Sequence, residues 1–508
     1  MKPTLANLKD SRAAAAMLLV AAALIVIFLA IAFVSASTVS TGWFCLMLAL
    51  MIISVAAPLH QAVENRGHRN AMVVIFTAFA LASLAACIAC AVNASVVYDS
   101  QKADAVLSCL VALINTAFGL WTVLALWLHR PLQVQVANEA SPAEPKRLRS
   151  KRMRDSACCL CCSYVLLVVA LTLSLLAAWH AAAKAAHPVR STKPGKLVQA
   201  ADGPTVHIFC GGSNASLPTV VYLNGMYGSS LDSMWLRRDS AIMDSDVRFC
   251  AIERPGGGWS ERNTNVHYGE VASYIHDALR SEHAAGNVGD RLVIVFHSLG
   301  GYIAPALAYQ LREDPDLRIV GAVAADALSP GWKSWDTPRP ESECSMDASI
   351  DCRKWEGCLF WRMCKTLEPS GLLRLLLVGG VGGFDVSIRS LPPDVQDDYV
   401  ANVMKPNQMD YILDEGSSLA RNCGYAKRGE QYLANASSAA FEVLVVPEED
   451  AINITRIAGA TRVEVLPVPC HPSGVTGPSC HQSMILHKDY SEAARQAVAR
   501  VLLATATA

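Results

Sequence analysis

From Ala13 to Pro58 this chain carries no Asp, Glu, Lys or Arg. A run of that kind that enters hydrocarbon must satisfy its own backbone hydrogen bonds, which for an unalternating apolar stretch means helix. The polar segment SASTVSTG at 35–42 divides it into two, and uncharged apolar blocks follow at 71–92, 106–128 and 159–179. Each is long enough to cross a bilayer at about 20 residues per span. One such block alone would suit a buried helix, but the succession with short polar loops between points to a bilayer. The composition agrees, since 52% hydrophobic against 17% charged residues is too apolar for a wholly soluble chain. The expectation is an α-helical membrane region of about five spans over 1–185. Its first block lacks a cleavage site and is followed by other spans, so it reads as a span and not as a removed signal.

Basic residues in the short loops set the orientation. Lys2, Lys9 and Arg12 precede the first span, the second loop has Arg66 and Arg69, and the third has only Lys102. The fourth, at 129–157, holds the run HRPLQVQVANEASPAEPKRLRSKRMRD, with seven Lys or Arg against three acids. The N-terminus and loops two and four are therefore expected in the cytoplasm. Everything after the fifth span is expected on the lumenal or extracellular side.

Two further signals fit that topology. Asn-x-Ser/Thr glycan acceptors occur at Asn93, Asn214, Asn435 and Asn453, all on the expected outer side. Nine cysteines lie beyond the fifth span, a density suited to an oxidising compartment, with at least one left unpaired. Among them Cys344, Cys352, Cys358 and Cys364 read as two disulfides, and Cys470 with Cys480 as a third. The run CCLCC at 158–162 beside the basic loop fits S-palmitoylation or small apolar filler equally well. No span contains an ionisable Asp, Glu, Lys or Arg, so nothing argues for transport, and the region reads as an anchor.

From 194 to 508 the pattern changes. β-Branched runs at 205–209, 219–223, 247–252, 292–296, 319–325, 441–446 and 462–468 alternate with helical ones at 268–284, 301–312 and 491–504. The runs at 292–296 and 319–325 lack polar alternation, as strands covered on both faces would. The expectation is one α/β domain with a mostly parallel sheet, interrupted at about 330–435 by a Trp-, Cys- and Pro-rich cap insertion. Ligands of such sheets bind beyond the carboxyl ends of the strands. At those ends stand NGMYGSS, ERPGGGWSERN, HSLGG, PEEDAI and CHPSGVTGPSCHQSM, which bring a serine, acids and histidines to one edge.

These segments together resemble the α/β-hydrolase superfamily, in its lipase, esterase and proline-iminopeptidase-like branch, over about 200–506. RLVIVFHSLGGYIAPALAYQL resembles the Gly-x-Ser-x-Gly strand–turn–helix elbow, with Phe296 where the first glycine stands. ERPGGGWSERN resembles the D-R-x-G-x-G-x-S turn, with Glu253 for Asp, and NGMYGSS the His-Gly oxyanion turn, with Asn224 for His. The resemblance implies a nucleophile at Ser298, whose bland alternative is a helix N-cap. It implies oxyanion donors in the backbone N–H groups of Leu299 and Met226. His481 is the candidate base, with His471 as the alternative and His487 as a solvated histidine. Asp450 is the candidate orienting acid, with Asp326 as the alternative. A phenyl ring at 296 must be housed by compensating space, or the elbow is displaced.

No cofactor is implied, and no His or Cys pairs show zinc spacing, so no metal is expected. GGVGG at 379–383 lacks the lysine of a phosphate loop. The one basic run belongs to the cytoplasmic loop, where it touches anionic lipid, so no nucleic-acid partner is expected. The leading expectation is a membrane-anchored serine hydrolase cleaving an ester, less readily an amide, with an apolar or lipid-like substrate. The alternative is a catalytically silent receptor or scaffold on the same fold. Protein partners are not legible in the sequence.

Overall fold

The computed structural model describes residues 77, 80–81, 115–117, 169, 172, 176, 195–226, 228–237, 247–263, 267–327, 359–368, 372–379, 391–404, 408–415, 429, 432–433, 435, 440–445, 461–465 and 488–506. The chain divides into two compact units, Met1–Pro188 with Lys365–Arg374, and Val189–Cys364 with Leu375–Ala508. In the first unit residues 77, 80–81, 115–117, 169, 172 and 176 are helical. Among the described residues no helix is long and apolar enough to cross a membrane. Nearly all of the five apolar blocks, the basic loop, Asn93, Asn453, Cys470 and Cys480 lie outside them.

The second unit holds an eight-stranded sheet in the order β1-β2-β4-β3-β5-β6-β7-β8. Its strands are β1 (Lys196–Gln199), β2 (Thr205–Gly211), β3 (Thr219–Leu223), β4 (Phe249–Ile252), β5 (Arg291–Ser298), β6 (Arg318–Ala327), β7 (Phe441–Val445) and β8 (Arg462–Val465). β2 runs antiparallel to both β1 and β4, and from β4 through β3 to β8 every pairing is parallel. Across the described residues of the whole chain, the helices of eight or more residues are α1 (Tyr268–Ala284), α2 (Gly300–Leu311), α3 (Leu359–Leu367), α4 (Leu372–Gly379), α5 (Pro393–Val403), α6 (408–415) and α7 (Lys488–Ala506). This mostly parallel, helix-flanked sheet is consistent with the α/β-hydrolase fold that the motifs imply.

The uninterrupted apolar runs are explained by a core on each face. Successive strand residues point to opposite faces, so Val221, Leu223, Ile294 and Phe296 pack against α1 and α2 through Val271, Ile275, Leu279, Ile303 and Leu307. Their alternates Val220, Tyr222, Val293, Val295 and Val323 pack on the other face with Ala494, Ala497, Val498, Val501 and Leu502 of α7. Residues at 494, 497, 498, 501 and 502 form one helical stripe, which is why α7 covers the sheet with a single side. The helix and strand runs seen in the sequence recur here within a few residues of the expected bounds. β1 escaped the sequence reading: only its pairing across 200–204 with β2 makes the four residues KLVQ a strand.

Cys210 and Cys250 are opposed in the β2–β4 register, with Cα atoms 4.1 Å apart, and form a disulfide. Closing 40 residues of chain stabilises the fold by about 4 kcal/mol in the chain-entropy account. The cap cysteines do not follow expectation. Cys364 is free and buried within α3, so the four of them do not make two disulfides. Burial pushes its thiol up to about 11, which keeps it a neutral packing group rather than a reactive thiolate.

Candidate active site

β5 runs apolar from Leu292 to Phe296 and stays buried to Ser298, α2 begins two residues later at Gly300, and between them the backbone turns sharply. Ser298 has φ +51°, a left-handed conformation that costs an L-residue about 1–2 kcal/mol. Asp326 (φ +43°) is the only other described non-glycine residue with positive φ. Ser298 does not cap the helix, because the N-cap is Leu299 and no side chain caps it. The strain therefore serves no helix start. Strain of this kind concentrates at functional positions.

Close packing shapes the elbow from three directions. A Cβ on Gly300 would sit 2.6 Å from the carbonyl oxygen of Leu223, so only glycine lets α2 start against the end of β3. A Cβ on Gly225 would sit 2.9 Å from Cβ of Ser298 and 3.0 Å from Nδ1 of His297. The turn that carries Met226 therefore lies directly on the serine. Phe296 is housed: its ring is 4% exposed and 6.5 Å from that of Phe441, and its register neighbour on β6 is the small Ala324. The ring occupies core volume beneath the elbow and leaves the turn above it intact.

The segment after β4 forms a buried polar network that the sequence reading left without a role. Arg254 is 1% exposed and all five of its N–H donors are placed. Its Nη1 donates to the carbonyl oxygen of Asn224 (2.5 Å) and to Asn224 Oδ1 (2.7 Å), and its Nη2 donates to the carbonyl oxygen of Gly225 (2.7 Å). Nε donates to Glu415 Oε1 (2.5 Å) and Nη2 to Oε2 (3.2 Å) of the same carboxylate. Tyr411 on α6 donates its hydroxyl to Glu415 Oε1 at 2.6 Å. The Tyr411 ring lies against the glycine turn, where a Cβ on Gly256 would come within 2.9 Å of it. Gly256 also has φ +89°, so the run PGGG is needed both for the turn and for the ring beneath it.

Glu253 points the other way. Its carboxylate accepts from the backbone N–H and the hydroxyl of Ser230 (both 2.9 Å) and from the N–H of Trp259 (2.5 Å), and lies 3.0 Å from Nδ1 of His207. Burial alone would push this carboxyl up, but the charge and hydrogen bond of His207, with the two backbone donors, hold it below the usual carboxylate range. The signal for both residues was present, since an acid and a base in ERPGGGW stand at a strand end that the sheet buries. No local signal could have pointed to Glu415 or His207, which reach the network from distant parts of the chain.

Beside Glu253, Asp232 is buried with Oδ2 accepting from the N–H of Ser229 and Oδ1 without a partner. Burial, with a contribution from the Glu253 charge, pushes its carboxyl from 3.8 up to about 8. The fold thus favours the neutral acid. Its contribution to stability is complete below about pH 4, declines as pH rises and is lost above about 8. Asp232→Asn keeps an acceptor for Ser229 without the buried charge. It is expected to raise stability at pH 8 by at least about 1 kcal/mol, roughly 1.5 °C or more in Tm for a domain of this size, and to change little at pH 4. Melting curves at the two pH values check this, and an equal shift at both would contradict it.

Of the other candidate residues, Leu299 and Met226 stand at the elbow and the facing turn. Asp326 stands at the end of β6, where the register with β5 shifts between His297 and Ser298. His481, His471 and Asp450 lie outside the described residues. Among the described residues no cluster of His, Cys, Asp or Glu could hold a metal ion. Of the glycan acceptors, Asn214 is half-buried and its Oδ1 accepts from the N–H (2.9 Å) and hydroxyl (2.6 Å) of Ser216, while Asn435 is exposed.

No protein-family model and no curated protein matches the chain. Among solved structures it is similar to an esterase from Exiguobacterium antarcticum, at 17% identity and a TM-score of 0.40, over 61% of this chain and 99% of that one. It is also similar to the Cif epoxide hydrolase from Acinetobacter nosocomialis, at 14% identity and a TM-score of 0.41, over 62% of this chain and 91% of that one. Likenesses at these scores carry no argument for chemistry, so the functional reading rests on the elbow itself.

Proposed function

We propose that this chain is a membrane-anchored serine hydrolase that cleaves carboxylic esters through an acyl-enzyme. The observation that supports it most is Ser298, held at φ +51° without a capping role and with the Met226 turn packed on it. In this reading Ser298 Oγ attacks the ester carbonyl while His481 takes its proton, and Asp450 orients the imidazole and stabilises the imidazolium. The N–H groups of Leu299 and Met226 receive the developing oxyanion, each donor lowering the barrier by about 3 kcal/mol. Collapse of the tetrahedral adduct expels the alcohol, protonated by His481. Water activated by the same imidazole then releases the acid and restores the serine.

Location is part of the proposal. The apolar blocks of 1–185 anchor the chain with its N-terminus in the cytoplasm, and the hydrolase unit lies on the lumenal or extracellular side. The Cys210–Cys250 disulfide supports an oxidising compartment, and Asn214 and Asn435 are then candidate glycan sites along with Asn93 and Asn453. Tethering favours an apolar or lipid-like ester, presented by the bilayer to which the chain is bound.

The test is covalent labelling of the full-length protein with a fluorophosphonate probe. Labelling of wild type that disappears in Ser298→Ala is expected, and a wild type that resists the probe would count against the enzyme reading. Protease added to sealed microsomes is expected to spare the hydrolase unit. Digestion of that unit from the cytoplasmic face would refute the orientation.

A further inference from the structure

We infer that Arg254 is a positioning residue that aims the oxyanion donor of Met226, an inference that rests on the hydrolase reading above. The Gly225–Met226 peptide is planar and trans, so its N–H points opposite to its carbonyl. That carbonyl is held by Arg254 Nη2 at 2.7 Å and also accepts from the N–H of Gly228 at 3.1 Å. The preceding carbonyl, of Asn224, is held by Nη1 at 2.5 Å. With both carbonyls drawn to the guanidinium, the Met226 N–H has one direction left to it, away from Arg254. The same turn meets the serine on its other flank, where a Gly225 Cβ would reach Ser298.

The guanidinium suits this task because its five donors lie in one rigid plane. Three hold the turn, and two hold the Glu415 carboxylate, which Tyr411 braces in turn. Glu415 also neutralises the buried charge, so the clamp orients the peptide without setting a bare cation behind it. A lysine ammonium in place of Arg254 is a point donor on a flexible stem and cannot hold both carbonyls and the carboxylate in one plane. Oxyanion donors act on the transition state and not on the bound ground state. A misaimed Met226 N–H should therefore slow the covalent step and leave probe affinity unchanged.

The experiment measures fluorophosphonate acylation of full-length wild type, Arg254→Lys and Glu415→Gln over a range of probe concentrations, which separates the maximal covalent rate from the apparent binding constant. Arg254→Lys is expected to lower the maximal rate about 100-fold, the effect of losing one oxyanion donor. Glu415→Gln, which loosens the far end of the clamp, is expected to lower it by about 10-fold, again with the binding constant unchanged. Melting curves identify folded variants, and if Arg254→Lys does not fold, Glu415→Gln decides. A folded variant that acylates at the wild-type rate, or whose loss lies wholly in the binding constant, overturns the inference while leaving the hydrolase reading in place. A wild type that is never labelled overturns both.

Discussion

Replacing Ser298 by alanine is expected to lower ester turnover by about 10⁶-fold, and His481→Ala by a similar factor, because an unassisted hydroxyl is a poor nucleophile at neutral pH. Asp450→Ala should cost less, about 10⁴-fold, since in the proposed triad it would orient the base without touching the carbonyl. The three losses should not add. Once the serine or its base is gone, removing another member of the proposed unit changes nothing further, and the residual rate is the share contributed by binding and the oxyanion donors. Single- and double-variant turnover on one chromogenic ester checks this, with Tm showing that the variants remain folded. Losses that multiply would mean the residues act separately. If Asp450→Ala were silent and Asp326→Ala severe, the acid would belong at the end of β6, where Asp326 sits strained at φ +43° beside the elbow strand.

The second large effect concerns Phe296. In Phe296→Gly a buried ring beside Phe441 is removed from the core shared by β5, α1 and α2, and the surrounding strands are too well paired to collapse into the space. The variant is expected to lose about 3–5 kcal/mol, the usual range for deleting a buried phenyl group, with a further 0.5–1 kcal/mol or so from glycine in a strand. Against a typical total of about 5–15 kcal/mol that is a large fraction. Thermal or denaturant unfolding of the full-length protein checks it. The maximal acylation rate of the folded fraction should not rise, since the turn at Ser298 is already formed with the ring in place. A variant as stable as wild type, or one that the probe labels faster, would show that the ring obstructs the elbow and would favour the silent receptor reading.

Much of the sheet could be read from residues alone. The runs at 292–296 and 319–325 carry their strand signal within themselves, because short β-branched stretches without alternation suit a pleat buried on both faces. The stripe on α7 likewise announces a one-sided helix. The elbow was legible for a related reason: a serine between an apolar strand and a glycine-led helix has few conformations open to it. The strand runs also sufficed to set Leu299 and Met226 just beyond strand ends, while their candidacy as oxyanion donors came from the resemblance.

Other features depended on contacts distant in sequence. Cys210 pairs with Cys250, and not with a cap cysteine, because the β2–β4 register sets their Cα atoms 4.1 Å apart, and no spacing rule contains that register. Whether Phe296 was tolerable turned on the small Ala324 opposite and on Phe441 nearby, which only the strand order brings together. Arg254 stood in plain view in ERPGGGW, yet its partners are carbonyls near 224 and a carboxylate at 415. A side chain's candidacy as a nucleophile can be read from its own few neighbours. A role in aiming another residue's backbone is not, because it consists of hydrogen bonds whose two ends the chain brings together only on folding.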